Sequence, residues 1–198
     1  MRAPVALLLI GCAALGACKP DSTPKSVLAE EAVAQEAAAA MTGWDRLFNS
    51  PATTIPAVNQ FGFKATAYAA STGGAEAKGE DIALSTVGDA PNKASFAATG
   101  KDVAKIDKLI FALAITDPAN AANAKTRLET VIRDFMFSAK AEGAQAIEAA
   151  IDAEKPAEGT LPGASYAVTV QPISGATDNR VLTVTFTRPD TTSATSSS

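Results

Sequence analysis

The sequence predicts an α+β domain: an antiparallel β-sheet of about four to six strands, with helices packed mainly on one face. Three observations carry this. Strand-like stretches cluster before residue 116 instead of alternating singly with helices, which argues against a parallel sheet. One long amphipathic helix follows at 117–138, enough to cover such a sheet. Two alternating segments, 166–171 and 181–187, then read as a hairpin that rejoins it. The order is strand-strand-strand-strand-helix-helix-hairpin, and no fixed-period repeat interrupts it.

The elements justify themselves in chain order. Residues 1–17 hold one positive charge at Arg2 and then an apolar run from Val5 to Leu15, the n-region and h-region of an export signal. A permanent span needs about 20 apolar residues, and this run is shorter. Polar Lys19-Pro20-Asp21 follows it at once. The run closes on Leu15-Gly16-Ala17-Cys18.

These four residues resemble the lipobox of bacterial lipoproteins: Leu at −3, small residues at −2 and −1, then cysteine. The resemblance covers the leader alone. It implies that the Cys18 Sγ receives a diacylglyceryl group and that cleavage falls between Ala17 and Cys18. A second box, Leu9-Ile10-Gly11-Cys12, leaves an h-region of about six residues, under the usual minimum of ~7, so Cys18 is the expected acceptor. Two or three acyl chains on one cysteine anchor stably where a single chain is marginal. In Gram-negative lipoproteins Asp after that cysteine signals inner-membrane retention. Lys19 stands there instead, so the resemblance implies an outer-membrane anchor with the domain facing the periplasm. The membrane is thus the expected partner, together with envelope proteins.

Residues 18–43 read as a tether, with Pro20 and Pro24 among polar residues, followed by an Ala/Glu-rich spacer helix over 25–41. Thr23 and Pro24 suit its cap and first position. A single globular domain is expected over 44–188, and a disordered Ser/Thr tail over 189–198. Trp44, the one tryptophan, is expected to pack on the domain with Leu47 and Phe48. Residues 49–59 hold Pro51 and Pro56 and read as a loop.

Alternation over 61–70, with Phe61, Phe63 and Ala65 on one side, reads as the first strand. Residues 71–80 read as a Gly-rich turn, 82–87 as a second strand and 88–92 as a turn. Residues 93–99 form a third strand with Phe96 inward. The strongest strand is 108–116: Leu109, Phe111, Leu113 and Ile115 share one face, and Ile110, Ala112 and Ala114 the other. That pattern implies either cover on both sides or a small-residue face under light cover.

Asp117 and Pro118 read as the cap and first position of the long helix. Ala121, Ala124, Leu128, Val131, Ile132, Phe135 and Met136 form its stripe. Burying the five larger ones contributes about 7–15 kcal/mol gross. Glu129 and Arg133, four apart, are placed to pair. Gly143 starts a shorter helix with Ile147, Ala150 and Ile151 inward, ended by Lys155-Pro156, and 160–164 reads as a loop.

Composition excludes more than it identifies. The net charge is −4, or −5 once Arg2 leaves, and no basic run points to nucleic acid. Alanine is roughly a fifth of the chain, which thins the supply of large core residues. The chain has no histidine and two cysteines, one in the leader and one at the lipid site. Ser-His-Asp and Cys-His catalysis, and the commonest zinc sites, are therefore excluded. Gly100-Lys101-Asp102 lacks the Ser or Thr and the upstream glycine of a phosphate loop. Asp102, Asp107, Asp117 and Asp134 lie on turns and helix ends and have structural readings. Ser22-Thr23-Pro24-Lys25 has Ser-x-x-Lys spacing but lies in the tether. No catalytic, cofactor-binding or metal residue is expected. The reading is a non-catalytic binding or structural lipoprotein, with an apolar-ligand or lipid-binding module as the alternative and a carboxylate-type hydrolase third.

Overall fold

The computed structural model describes residues 41–85, 91–175 and 178–189. The leader, Cys18, the 25–40 part of the expected spacer helix, residues 86–90 at the end of the expected second strand and in the turn after it, and the tail from residue 190 lie outside them.

The architecture is α+β, as the clustering of elements predicts. Helices α1 (Gly43–Asn49) and α2 (Pro51–Asn59) come first. Strands β1 (Ala69–Ser71), β2 (Gly74–Lys78), β3 (Ile82–Ala83), β4 (Lys93–Gly100) and β5 (Lys108–Ile115) follow. A 3₁₀ turn (Pro118–Asn120) leads into α3 (Ala121–Ser138) and α4 (Ala144–Ala153). Strands β6 (Ala157–Leu161), β7 (Ala164–Pro172) and β8 (Arg180–Thr187) complete the chain. The eight strands form one antiparallel sheet in the order β1-β2-β4-β5-β8-β7-β6, with β3 also pairing β4. The helices carry the chain from β5 to the far edge, and β6, β7 and β8 then step back inward until β8 meets β5.

Register makes one face of this sheet a core. Phe96 lies opposite Phe111, Phe111 opposite Val184, and Val184 opposite Val168. All are buried, as are Leu109, Leu113, Ile115, Leu182 and Phe186 beside them. Alpha-helical α3 lays Leu128, Ile132, Phe135 and Met136 on that face, while Val131 is only half-buried. The Phe111 ring meets Phe135 at 5.5 Å, Phe96 at 5.1 Å and Phe63 at 5.9 Å between centroids. Aromatic clusters of this kind supply much of the buried area in an alanine-rich chain. The other face is the small-residue alternative: Ser95, Ala97, Ile110, Ala112, Thr183 and Thr185 are half-buried, and among the described residues no helix packs on them.

Trp44, Leu47 and Phe48 are buried as expected, and Trp44 lies 4.6 Å from Phe186 between ring centroids. The loop expected over 49–59 is a helix instead. Pro51 sits at its first turn, where no N–H is required. Pro56 lies inside it and removes one ladder donor. Buried Ile55 and Val58 hold the helix regardless, and Thr54 Oγ1 donates to the Leu47 carbonyl at 2.8 Å.

The sheet has more strands than expected, for local reasons. The 61–70 strand shrinks to Ala69–Ser71, because Gly62 and Lys64 take positive φ and break the ladder. The glycine-rich 71–80 stretch is itself a hairpin: Gly73 turns the chain and Gly74 begins β2. Residues 160–164 are the β6–β7 hairpin around Pro162-Gly163, not a loop. Asp117 makes no cap bond to the helix. It precedes the 3₁₀ turn, and its Oδ2 accepts from Asn120 Nδ2 at 2.6 Å.

Candidate functional site

Ala17 and Cys18 lie outside the described residues. Near the start of the described residues stands Gly43. Its N–H donates to the Ala139 carbonyl at 2.8 Å, which fixes the start of α1 to the turn after α3.

The expected carboxylates fall where structural roles need them, and the fold does not bring all four together. Asp102 Oδ1 accepts the Ala104 N–H at 2.8 Å and closes the β4–β5 turn. Asp107 accepts the Lys101 N–H at 2.9 Å and the Arg188 Nε at 3.1 Å, with Arg188 Nη2 beside it. Burial works to raise its pKa, but Arg188 and the Lys101 N–H outweigh burial, and the net shift is downward. Next to this pair the Tyr68 hydroxyl donates to the Lys105 carbonyl at 2.8 Å. Burial, then the Asp107 and Asp102 charges, push that phenol up to about 12. A phenol so held stays protonated at neutral pH and serves as a donor that ties the turn to the β1 edge. Asp134 is exposed and pairs with Arg133.

The seam between α3 and α4 holds a constellation that the sequence reading misses. Arg133 does not pair with Glu129. Its guanidinium lies 3.4 Å from Asp134 and 4.0 Å from Glu148 on the neighbouring helix. Glu129 Oε1 and Glu148 Oε1 are both buried without a hydrogen-bond partner among the described residues. Burial, then Asp152 and Glu148, raise the Glu129 pKa. Farther along, Glu154 at the end of α4 takes Lys125 and Arg180. Residue spacing within each helix carries no signal for contacts across a seam, so only packing reveals them.

Among the described residues, three surface grooves have room for a ligand, one of them of about 460 Å³ between Phe137, Glu142 and Glu148; the other two are larger. One, of about 500 Å³, runs between α2 and the 65–68 segment and is lined by Ile55, Pro56, Ala67, Tyr68 and Val103. The other, also about 500 Å³, lies at one end of the open sheet face beside Lys93, Ser95, Ala112 and Val181. Among the described residues, no group of three or more His, Cys, Asp or Glu is arranged to hold a metal ion, and no helix is long and apolar enough to cross a membrane.

Comparison with protein-family models, curated proteins and solved structures finds no match to this chain.

Proposed function

We propose that the chain is a lipid-anchored lipoprotein of the bacterial envelope, attached through Cys18, whose α+β domain is a non-catalytic binding or structural module. The carrying observation is Leu15-Gly16-Ala17-Cys18 at the end of a charged and then apolar leader. The filled space between sheet and α3 supports a module without an internal ligand cavity there, since Phe111, Phe135, Ile132 and Leu113 are all fully buried. Lys19 after Cys18 favours the outer membrane, facing the periplasm. A second reading, binding of a small apolar or lipid ligand, is favoured by the groove over Ile55, Pro56 and Tyr68.

The test is metabolic labelling with a palmitate analogue, followed by envelope fractionation. Wild type and Cys12→Ser are expected to be labelled and to sediment with outer membrane, while Cys18→Ser is unlabelled. Label on Cys18→Ser combined with none on Cys12→Ser overturns the choice of acceptor. Label on neither wild type nor Cys12→Ser overturns the anchor.

A further inference from the structure

Of the three grooves, the one over α2 is lined without a charged side chain. Ile55, Pro56, Ala65, Ala67 and Val103 give it apolar walls. The groove at the end of the sheet takes in Asp81 and Lys93, and the one beside Phe137 takes in Arg133, Glu142 and Glu148. The polar side chains of the α2 groove are already bonded within the domain. Asn59 closes on Ala65, donating Nδ2 to its carbonyl at 3.2 Å and accepting its N–H at 2.5 Å. The Tyr68 hydroxyl donates to the Lys105 carbonyl at 2.8 Å, and with its pKa pushed up to about 12 it carries no charge at neutral pH. Such a wall favours an apolar guest over a polar one, which gives up its hydration and finds no partner. Val103 is 55% exposed and gains burial when the groove is filled.

Charge enters through the turn that carries Val103. Lys101 and Lys105 stand on either side of it in the β4–β5 turn, and all three residues are exposed. The turn is fixed in place: the Lys105 carbonyl takes the Tyr68 hydroxyl, the Ile106 N–H donates to the Phe48 carbonyl at 2.8 Å, and the Lys101 N–H donates to Asp107 at 2.9 Å. Its carboxylates have partners. Asp102 accepts the Ala104 N–H, and Asp107 pairs with Arg188. No ion pair among the described residues includes Lys101 or Lys105. Two ammonium groups without a carboxylate partner among the described residues therefore flank the side chain by which this turn lines the groove.

Resting on the apolar-ligand reading above, we propose that this groove binds a long-chain fatty acid. The acyl chain lies along Ile55, Pro56 and Ala67 against Val103, and the carboxylate meets Lys101 and Lys105. The groove volume of about 500 Å³ falls in the lower half of the range of small-ligand sites, ~300–1,000 Å³, and suits one acyl chain. Lysine ammonium groups act as point charges on flexible stems, which a carboxylate satisfies without a fork of donors. Arg188, which has such a fork, is already engaged by Asp107.

The test uses the full lipid-modified chain in lipid nanodiscs, with palmitate bearing a diazirine on its chain as the probe and peptide mass spectrometry to locate the label. Label is expected on residues 51–68 and 101–105. It is expected to fall about tenfold in Ala67→Trp, which fills the groove from an exposed position, and about threefold in Lys101→Gln/Lys105→Gln. Phe137→Ala, in the other groove, is expected to leave it unchanged. Unchanged emission from buried Trp44 and an unchanged thermal midpoint certify folding. The matching fatty alcohol is expected to label the same residues more weakly, with no response to the lysine changes. Alcohol and acid labelling equally overturns the carboxylate head and leaves the apolar-ligand reading standing. Lysophosphatidylglycerol competing better than unlabelled palmitate overturns the fatty acid in favour of a phospholipid. Label that ignores Ala67→Trp, or no label from either probe, overturns the groove and the apolar-ligand reading together.

Discussion

The Glu154 carboxylate accepts from both Nε and Nη2 of Arg180, the latter at 2.7 Å, and so ties the end of α4 to the first residue of β8. Lys125 of α3 adds its ammonium at 3.1 Å. Three elements distant in sequence therefore meet on one carboxylate. Glu154 reaches this position from a left-handed backbone, φ 49°, which stops α4 and turns the side chain back.

Stability is expected to depend on this group with a definite sign. Arg180 bonding lowers the Glu154 pKa, burial opposes, and Lys125 adds to the lowering. A depressed carboxylate stabilises above its unfolded value, about 4.3, and that contribution is lost as pH falls through the folded value. Glu154→Gln is expected to cost about 1–3 kcal/mol at pH 7, and the gap to wild type closes below about pH 4. Denaturant midpoints at the two pH values measure it; an equal gap at both contradicts the ion-pair account.

Glu129 is expected to behave oppositely. Its raised pKa, from burial and then Asp152 and Glu148, means that the neutral form is favoured in the fold. Stability from this group is present at low pH and is lost as pH rises through the folded value. Glu129→Gln relieves the charged, partnerless oxygen. It is expected to stabilise at pH 7 by under about 1 kcal/mol after solvent screening, with no gain near pH 4. Loss of stability at pH 7, by the same denaturant measurement, rules this out.

The β1–β2 turn separates two adjacent glycines. Gly74, at φ 152°, has the Gly100 carbonyl where a Cβ would stand, whereas Gly73, at φ 97°, has nothing within 4 Å. Both substitutions carry the strain of a positive φ, of order 1–3 kcal/mol. Gly74→Ala adds a collision with backbone that cannot swing away. A thermal-melt series is expected to place Gly74→Ala several degrees below Gly73→Ala; the reverse order refutes the register.

Two buried residues test the centre. Phe111 touches Phe63, Phe96, Phe135 and Phe186, so Phe111→Ala is expected to cost about 3–5 kcal/mol. Asn92, fully buried, donates Nδ2 to the Asp117 carbonyl at 3.0 Å and accepts the Asp117 N–H at 2.8 Å. Asn92→Ala strands its half-buried partners on Asp117, at about 1–3 kcal/mol in all. Hydrogen exchange is expected to accelerate first around residues 115–120 in that variant; uniform acceleration contradicts a local role.

Much of the fold was legible. Alternation marks β4, β5, β7 and β8 because each has one buried face and period-2 side chains cannot hide that. The 3.6 stripe marks α3 through to Ser138 for the same reason. What escaped were elements whose residues speak for turns: α2 with its two prolines, the Gly74–Lys78 strand and the short β6 edge. Their local preferences run against the structure, and burial of Ile55, Val58 and Ala77 overrides them. Of the candidate site, Cys18 and Ala17 were readable as a linear signal, while Glu129 with Glu148 across the α3–α4 seam was not.

Sequence alone determined what is encoded by neighbours along the chain: the leader ending at Cys18, the absence of histidine, the strongest strands and the long helix. Tertiary structure alone decided which sheet face the described helices cover, which carboxylates share the α3–α4 seam, and that Glu154 meets Lys125 and Arg180. Side-chain periodicity acts over a few residues. The meeting of Glu154 with Arg180, or of Gly43 with Ala139, depends on packing that closes loops across the chain, and no local pattern carries that information.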